Sequence, residues 1–451
     1  MNNKGIEYQK ATTKKMLLYA SPRLGIQFFI SIIDFALLFL YKDVYSLNGL
    51  FVGIALALGK LSVGFSQFII GWASDHTKTR WGRRKPYIII MTPILCITFI
   101  MLLLPGLFLG ANPPENSLFI WLVIFNCLSQ AAYSVTTPYH AWNAELFPVD
   151  QRPKVSSFQN MFNIIGAVII TLFTLVILTD VKDKIEADPT VIPTNFLVSI
   201  LFFAFVLITM SFFSTIALPV ENTPEYGSKM KDDLKIILKN KNFLLVTFMQ
   251  GFCSLAIAMI SSILAKFADN VVHLGSDTNI VVSALMVIAM LFGLFWFKHR
   301  IETKGKKKTL IFIFLWGIII LPFSLLGFFP FAQSMIYGIV YISFVAIAIG
   351  GWYLFPYIMY ADIADDDQKK TGELKAGIYA GFPSIILNIF QAISLFFTGW
   401  LIELPLITNV PDTEPFSIGL LLMGPIGSLF LIIALLFGKK FVTLDFSWEK
   451  Q

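Results

Sequence analysis

The chain has 451 residues, of which 56% are hydrophobic and only 14% are charged, with a net charge of +6 at pH 7. A soluble domain carries about 25% charged residues, so this composition excludes an ordinary soluble protein. The apolar residues stand in unbroken runs of about 20, the length of a helix that crosses a ~30 Å hydrocarbon core. The sequence therefore predicts an all-α polytopic membrane protein.

Twelve apolar runs predict twelve transmembrane helices, which we call spans 1 to 12. They cover residues 16–41, 49–74, 87–110, 117–141, 156–179, 195–218, 243–267, 279–297, 309–329, 333–358, 376–402 and 415–438. With both termini in the cytoplasm, 28 of the 34 Lys and Arg residues lie in cytoplasmic segments and three in outer loops. This asymmetry predicts a multi-pass protein of the cell membrane with both termini cytoplasmic. Because the basic residues are spread over seven segments, nucleic-acid binding is not expected.

The chain also divides into two halves of six spans. The predicted units are a bundle at 1–218, a cytoplasmic linker at 219–241, a second bundle at 242–438 and a tail at 439–451. PYHAWNAELFPVDQR at 138–152 resembles PYIMYADIADDDQK at 356–369, and GRRK at 82–85 is echoed by GKKK at 305–308. The number of residues that separates a motif from its counterpart is similar in both cases. We therefore expect two pseudo-symmetric six-helix bundles, as in many secondary transporters.

A short basic segment, GWASDHTKTRWGRRKPY, separates spans 2 and 3 at residues 71–87. Asp75 ends span 2, where it can pair with Arg83 or Arg84. We interpret this cluster as a gating latch on the cytoplasmic side, although the basic residues alone could serve only to retain the loop inside. Charged side chains at the other inner helix ends are interpreted in the same way: Glu145, Asp150, Arg152, Asp362, Asp365 and Lys375.

These segments resemble signatures of the major facilitator superfamily. The Trp-Gly-Arg-Arg-Lys-Pro-Tyr run is similar to the glycoside–pentoside–hexuronide cation symporters and to the related sucrose transporters. PYHAWNAELFPVDQR resembles the span-4 exit of that family, and ADIADDDQKKTGELKAGIYAG at 361–381 resembles its loop between spans 10 and 11. The resemblance implies the major facilitator fold, alternating access and transport of a sugar or glycoside.

The sequence departs from the melibiose-permease branch of that family at the cation site. In that branch, two acidic residues one turn apart in span 2 bind sodium, and Val63 and Gln67 stand at the aligned positions here. A melibiose-type sodium site is therefore not expected. The branch's charged sugar-binding positions in spans 1, 5 and 11 align with neutral residues: Gln27, Asn160 and Asn388.

Two charged residues remain deep in adjacent spans. At ~1.5 Å per residue, Asp34 lies roughly 10 Å from the outer end of span 1, and Lys60 lies roughly 16 Å from the outer end of span 2. We interpret them as a buried pair in which Asp34 gains and loses a proton; the alternatives are a static pair, or a Lys60 side chain that extends towards water. The Lys266 side chain, at the outer end of span 7, is expected to extend towards water. The His140 side chain, at the inner end of span 4, is expected to be in contact with water.

Polar and aromatic side chains within the spans predict the cargo site. Amide and hydroxyl groups beside an aromatic ring suit a neutral polyol, although each polar group alone equally suits a contact between helices. The predicted substrate-binding residues are Gln27, Gln67, Gln130, Thr136, Asn160, Gln250, Trp352, Tyr353 and Asn388.

The sequence thus predicts a secondary transporter of a small neutral solute, with a sugar or glycoside as the preferred cargo. Transport is expected to be coupled to protons, and the protein is expected to be a monomer without metal or cofactor. Three alternatives stay open: a transporter of lysolipids or other amphiphiles, an uncoupled facilitator, and a non-transporting membrane sensor. An enzyme is not expected, because the sequence has no nucleophile–base set, metal-ligand spacing or phosphate-binding loop.

Overall fold

The computed structural model describes residues 11–110, 113–147, 151–178, 180–181, 184, 192–220, 235, 238–273, 276–371, 382–408 and 415–444. In this part of the chain, twelve helices are long and apolar enough to cross a membrane. The predicted all-α class and the number of spans are confirmed. Since twelve crossings return the chain to its starting side, we call the side of both chain ends the termini face and the other side the opposite face.

Spans 1 to 6 come from the first half of the chain, and several of them are interrupted. Span 1 is a series of helical segments in which Ile32–Ala36 and Leu40–Val44 are π-helical; the others are Thr13–Ala20, Pro22–Ser31 and Leu37–Phe39. The remaining spans are Gly49–His76, then Lys85–Leu103 with the short helix Pro105–Leu109, then Glu115–Tyr133 with Thr136–Leu146, then Arg152–Leu172 with the π-helical Phe173–Leu178, and finally Thr194–Ala217.

Spans 7 to 12 form the second half. They are Lys241–Asn270, then Ser276–Lys304, then Lys306–Ile320 with 3₁₀ turns at Leu321–Phe328 and Pro330–Ala332, then Met335–Trp352 with Phe355–Thr371, then Pro383–Ile402, and finally Gly419–Lys440. Between spans 11 and 12, strand β1 (Leu406–Ile407) pairs antiparallel with strand β2 (Phe416–Ser417), with Leu406 opposite Ser417. Span 10, predicted as one helix over 333–358, is broken after Trp352.

Local sequence signals set several helix starts. The side chains of Asn48, Asn240 and Ser334 each accept a hydrogen bond from a backbone N–H in the first turn of the helix that follows, which satisfies an otherwise unpaired donor. Gly82 and Gly305 have φ of +86° and +88°, a conformation that favours glycine. These glycines begin the GRRK and GKKK motifs, so the echoed motifs share a turn as well as a sequence.

Helix packing repeats between the halves. Span 1 packs on spans 5 and 6, span 2 on span 4, and span 3 on span 6. The same arrangement recurs six spans later, with span 7 on spans 11 and 12, span 8 on span 10, and span 9 on span 12. Across the halves, span 2 packs on span 11, span 8 on span 5, and span 1 on span 7. Two pseudo-symmetric bundles with a shared interface are therefore confirmed.

Candidate functional site: a central pathway between two bundles

The two bundles meet tightly near the opposite face through glycines of spans 2 and 11. A Cβ built on Gly53 would lie 2.8 Å from the Gly399 Cα, and one built on Gly399 would lie 2.5 Å from the Gly49 carbonyl oxygen. These distances are shorter than side chains tolerate, so only glycine permits the observed approach. We call Gly49, Gly53 and Gly399 the glycine seam.

Ion pairs join the bundles at the same face. Lys42, in the last π-helical segment of span 1, pairs with Glu403 at the end of span 11, and the Gly49 backbone N–H donates to the same carboxylate at 2.7 Å. Lys266 of span 7 pairs with Asp43, and their side chains are 10% and 12% exposed. We call these four charged residues the opposite-face lock. Lys266 is therefore buried and paired, and the expectation that it extends towards water is wrong.

The carboxyl of Glu403 has a perturbed pKa. Partial burial raises this pKa, but the hydrogen bonds from Lys42 and from the Gly49 backbone N–H outweigh burial and lower it below its ordinary value of 4.5. Glu403 is thus held in its charged form, in which it binds both partners.

Asp34 and Lys60 are in contact, as their depths in the sequence suggested. The Lys60 Nζ donates to the Asp34 Oδ1 at 2.9 Å, with Lys60 13% and Asp34 34% exposed. Asp34 stands in the π-helical segment Ile32–Ala36, which packs against span 7 of the other bundle. Single π-helical turns within α-helices are frequent at functional sites. A titratable pair therefore lies beside the interface between the bundles.

A second polar cluster joins spans 1, 4 and 5 nearer the termini face. The Arg23 Nε donates to the Asn163 Oδ1 at 2.9 Å, and the Arg23 Nη1 lies 3.3 Å from the His140 Nε2. Arg23 is 8% exposed, whereas more of the His140 surface is accessible. Sequence analysis counted Arg23 only as one of three basic residues inside spans and assigned it no role.

Two tyrosines fasten spans 1 and 4 next to this cluster. The Tyr19 hydroxyl donates to the Tyr139 carbonyl at 2.6 Å, and the Tyr139 hydroxyl donates to the Tyr19 carbonyl at 2.5 Å. Their rings are stacked with centroids 4.8 Å apart, and Gln159 of span 5 donates to the Tyr139 hydroxyl at 3.3 Å. These contacts join spans 1, 4 and 5 around Arg23.

A polar stripe connects the two clusters along span 1. Arg23, Gln27, Ser31 and Asp34 recur at helical spacing, and the Gln27 amide donates to the Ser31 hydroxyl at 3.0 Å. Residues three or four apart lie on the same helix face, so the stripe runs from the Arg23 cluster to the Asp34–Lys60 pair. The predicted cargo residue Gln27 is part of this stripe and lies against Gly166 of span 5.

The other predicted cargo residues of the first bundle lie in different environments. Gln130 is buried, Gln67 is half-buried and Asn160 is exposed. Asn160 precedes Asn163 by one turn and so shares a helix face with the Arg23 cluster. The Thr136 hydroxyl is buried and donates to the Tyr133 carbonyl at 3.0 Å.

The predicted cargo residues of the second bundle are more dispersed. Gln250 is fully buried with its amide 4.0 Å from the Met359 sulfur, and its Oε1 has no partner in the described part of the chain. Tyr353 is 45% exposed. Asn388 lies at the interface of the bundles, its Cβ 3.2 Å from a Cβ built on Gly64.

Trp352 lies inside the second bundle. It lines an apolar cavity between spans 7, 9, 10 and 12 with Cys253, Ile260 and Leu431, and its ring centroid is 6.0 Å from that of Phe314. These contacts place Trp352 among apolar side chains.

The structure describes part of the predicted latch. The Arg84 Nη1 donates to the Ser74 Oγ at 2.6 Å, and both Arg83 and Arg84 are buried. Asp362 accepts from the Nζ of Lys306, which begins span 9, at 2.7 Å. The side chains of the remaining predicted gating residues lie outside the described residues: Asp75, Glu145, Asp150, Arg152, Asp365 and Lys375.

Comparison with known proteins gives a consistent family assignment. A family model described as MFS/sugar transport protein matches residues 18–439. An uncharacterized symporter of Synechocystis sp. is 23% identical, with 90% of this chain and 88% of that protein covered. The isoprimeverose transporter of Lactiplantibacillus pentosus is 22% identical over 83% of this chain and 76% of that protein.

A vertebrate relative and a solved structure extend the comparison. The sodium-dependent lysophosphatidylcholine symporter 1 of Gallus gallus is 21% identical, with coverage of 79% of this chain and 71% of that protein. The crystal structure of a D-xylose-proton symporter superposes with a TM-score of 0.67 at 15% identity, covering 95% of this chain and 97% of that one. This superposition identifies the fold.

Proposed function

Because the chain belongs to the MFS/sugar transport protein family, and is therefore a membrane transporter and not an enzyme, we propose that it carries a small sugar or glycoside by proton-coupled symport. The observation that carries the proposal is the Asp34–Lys60 pair, a titratable contact inside the membrane beside the interface of the bundles. The isoprimeverose transporter among its relatives supports a sugar as cargo.

The chemistry of this pair supports proton coupling. As a carboxylate, Asp34 accepts a hydrogen bond from the Lys60 ammonium; as a neutral acid, it no longer compensates the lysine charge. Protonation therefore weakens the contact between spans 1 and 2. Since the segment around Asp34 also packs on span 7, this change reaches the interface at which the bundles rock.

Alternating access uses the two faces in turn. In the described state the glycine seam and the opposite-face lock close the opposite face, which we propose is the outer side of the cell membrane. The bundles 1–218 and 242–438 move as two bodies around a central cargo site, linked by residues 219–241, with both termini cytoplasmic. The protein acts as a monomer, because each chain supplies both bundles.

The cargo contacts would come from Gln27, Asn160 and Asn388, with Gln67 and Tyr353 as further polar groups on the pathway. Amides and a phenol offer both donors and acceptors to hydroxyl groups. The proposal that Trp352 stacks on the cargo is not supported by its position in the apolar cavity of the second bundle.

The test is uptake of labelled mono- and disaccharides by purified protein in liposomes, with no gradient, a sodium gradient or an inward proton gradient. The expected result is accumulation driven by protons. Asp34→Asn is expected to abolish accumulation yet retain exchange of sugar across the membrane. Asp180→Asn, at the exposed ion pair with Lys184, is the matched control and should accumulate as wild type does. Full proton-driven accumulation by Asp34→Asn would refute the coupling role.

A lysolipid is the second candidate cargo, because one relative is a sodium-dependent lysophosphatidylcholine symporter. The same liposomes, supplied with labelled lysophosphatidylcholine and a sodium gradient, separate the two candidates. Sodium-driven lysolipid movement without sugar uptake would replace the sugar proposal. Equilibration of sugar without accumulation would identify a facilitator, and no transport of any cargo would favour a sensor.

A further inference from the structure

Spans 8 and 9 carry matching rows of side chains at every fourth position, with aromatic residues inside the membrane and basic residues at the termini face. The row on span 8 consists of Phe292, Trp296, Arg300 and Lys304. The row on span 9 consists of Lys308, Phe312 and Trp316. Residues four apart share a helix face. We call these two rows the span 8–9 ladders.

The two ladders are in contact and form one surface. The Arg300 Cζ lies 4.0 Å from the centroid of the Phe312 ring. The Trp296 ring centroid lies 5.9 Å from that of Phe312 and 5.6 Å from that of Trp316, and Phe292 stacks on Trp296 with centroids 5.9 Å apart. The guanidinium therefore lies at one end of a continuous aromatic surface.

This aromatic surface faces the hydrocarbon of the membrane. Phe292 is 56% exposed, and Phe344 of span 10, which stacks on Trp316 with centroids 5.5 Å apart, is 38% exposed. The Trp316 indole N–H donates to the Phe344 carbonyl at 3.0 Å, which fixes the ring. Phe292 precedes Lys304 by three helical turns, or ~18 Å, so the surface extends over one leaflet of a ~30 Å core.

The Arg300 guanidinium has no anionic partner in the described part of the chain. Its Nε is fully buried without a hydrogen-bond acceptor, and no described carboxylate forms an ion pair with it. Glu302, two residues further along span 8, is exposed and lies on a different side of the helix. A cation within a membrane span normally has a partner, so the unpaired Arg300 indicates an anion that comes from outside the chain.

Two lysines are available to the same anion. Lys304 and Lys308 flank the turn at Gly305, and both are exposed without an ion pair among the described residues. Lys306, between them, is already paired with Asp362 at 2.7 Å. Together with the arginine, the two lysines border the aromatic surface where it reaches the termini face.

We propose that the span 8–9 ladders bind an anionic phospholipid of the leaflet at the termini face. Arg300 donates to the lipid phosphate, and Lys304 and Lys308 attract the rest of the headgroup. One acyl chain lies along the rings of Trp296 and Trp316. The basic residues favour a lipid with net negative charge over a zwitterionic one, and the aromatic surface favours a lipid over a free phosphate. The site is independent of the cargo, because it lies on the lipid-facing side of the second bundle.

The first measurement is the retention of lipids by the purified full-length chain in native mass spectrometry. The chain is equilibrated with equal amounts of phosphatidylglycerol and phosphatidylcholine that have the same acyl chains. One Lys or Arg near anionic lipid contributes a factor of about five in affinity. Phosphatidylglycerol is therefore expected to be retained at least about fivefold over phosphatidylcholine.

Three variants test the arginine. Arg300→Gln should lower the preference for phosphatidylglycerol about fivefold, and Arg300→Lys should keep part of it, because lysine retains the charge without the planar fork. Arg80→Gln is the matched control: Arg80 is exposed at the same face and lies 5.2 Å from the ring of Trp81, but it belongs to neither ladder. This variant should keep the full preference.

A second measurement locates the acyl chain. Phosphatidylglycerol with brominated acyl chains, present as a small fraction in phosphatidylcholine vesicles, should quench the tryptophan fluorescence of the chain. Trp296→Phe and Trp316→Phe should each reduce this quenching, whereas Trp400→Phe, at a tryptophan of span 11 that is 48% exposed, should not.

Equal retention of the two lipids by the wild-type chain would overturn the inference, and this comparison stands even if an Arg300 variant fails to fold. An unchanged preference in folded Arg300→Gln would also overturn it. An equal loss in Arg80→Gln would show a diffuse attraction of the whole face and not a site. Quenching that falls as much in Trp400→Phe as in Trp316→Phe would reject the aromatic surface as the place of the acyl chain.

Discussion

Glu403→Gln is expected to loosen the opposite face. The glutamine keeps an acceptor for the Gly49 N–H but loses the ion pair with Lys42. In this ion pair the Lys42 side chain is 24% exposed and the Glu403 side chain is 31% exposed. A partly exposed ion pair contributes about 0.2–1 kcal/mol, and a hydrogen bond to a charged acceptor exceeds a neutral one by about 1 kcal/mol. The substitution therefore costs the closed state about 1–2 kcal/mol, which is a roughly 5–30-fold shift towards opening.

Spin labels on the two bundles measure this shift. Asn116, in the first turn of span 4, and Thr408, after strand β1, are exposed near the opposite face and belong to different bundles. Cysteines at these positions, in a background without the three native cysteines, allow distance distributions to be recorded by double electron–electron resonance. The Glu403→Gln variant should show a longer-distance population increased 5–30-fold relative to the closed one.

Acid provides an independent check on the same residue. Because the pKa of Glu403 is lowered, its contribution to the closed state is complete above its ordinary value of 4.5 and is lost as the pH falls through the lowered pKa. The wild-type distribution should thus change at acid pH through this group, and Glu403→Gln should lack that component. Glu302→Gln, the same change at an exposed position of span 8, is the control. An unchanged distribution in Glu403→Gln, or an equal change in Glu302→Gln, would refute the reasoning.

Three further substitutions test the packing of the spans. Lys266→Met should destabilise the chain by about 3–5 kcal/mol in thermal unfolding, because Asp43 is left buried and unpaired; adding Asp43→Asn should restore much of the loss, and no restoration would contradict the pairing. Gly399→Val should prevent closure of the opposite face, since its Cβ would lie 2.5 Å from a carbonyl of span 2; the spin-label distances should lengthen, and wild-type distances would contradict a steric role for this glycine. Tyr139→Phe removes two buried hydrogen bonds, one to the Tyr19 carbonyl and one from Gln159, and should cost about 1–3 kcal/mol, whereas Tyr337→Phe removes one at a more exposed tyrosine and should cost less; equal losses would argue against a special role for the span 1–span 4 contact.

Much of the architecture was predictable because hydrocarbon imposes a length on every apolar run. The twelve spans follow from the lengths of the apolar runs, the two bundles from the repeated motifs, and the Asp34–Lys60 contact from the depths of the two residues in adjacent spans. The glycine turns before spans 3 and 9 were visible as repeated motifs.

Other features depend on contacts that no single segment encodes. Asp43 and Glu403 are distant in sequence, and each looks like an ordinary loop acid until spans 1, 7 and 11 are brought together. The sequence suggested that Trp352 lines the cargo pathway. In the structure, span 10 is broken after Trp352, and spans 7, 9 and 12 pack around its side chain within the second bundle. Arg23 is visible in the sequence as a basic residue inside a span, but its contacts with Asn163 and His140 emerge only when spans 1, 4 and 5 are brought together.

The glycine seam has a kinetic consequence. Gly53 and Gly399 meet backbone to backbone, while the Ile402 side chain packs against Gly49 beside them. Where the two backbones meet, the spans can part without a side-chain rotamer having to change first. The four charges of the lock therefore add to the barrier to opening a component that depends on ionic strength, unlike the contact between the backbones.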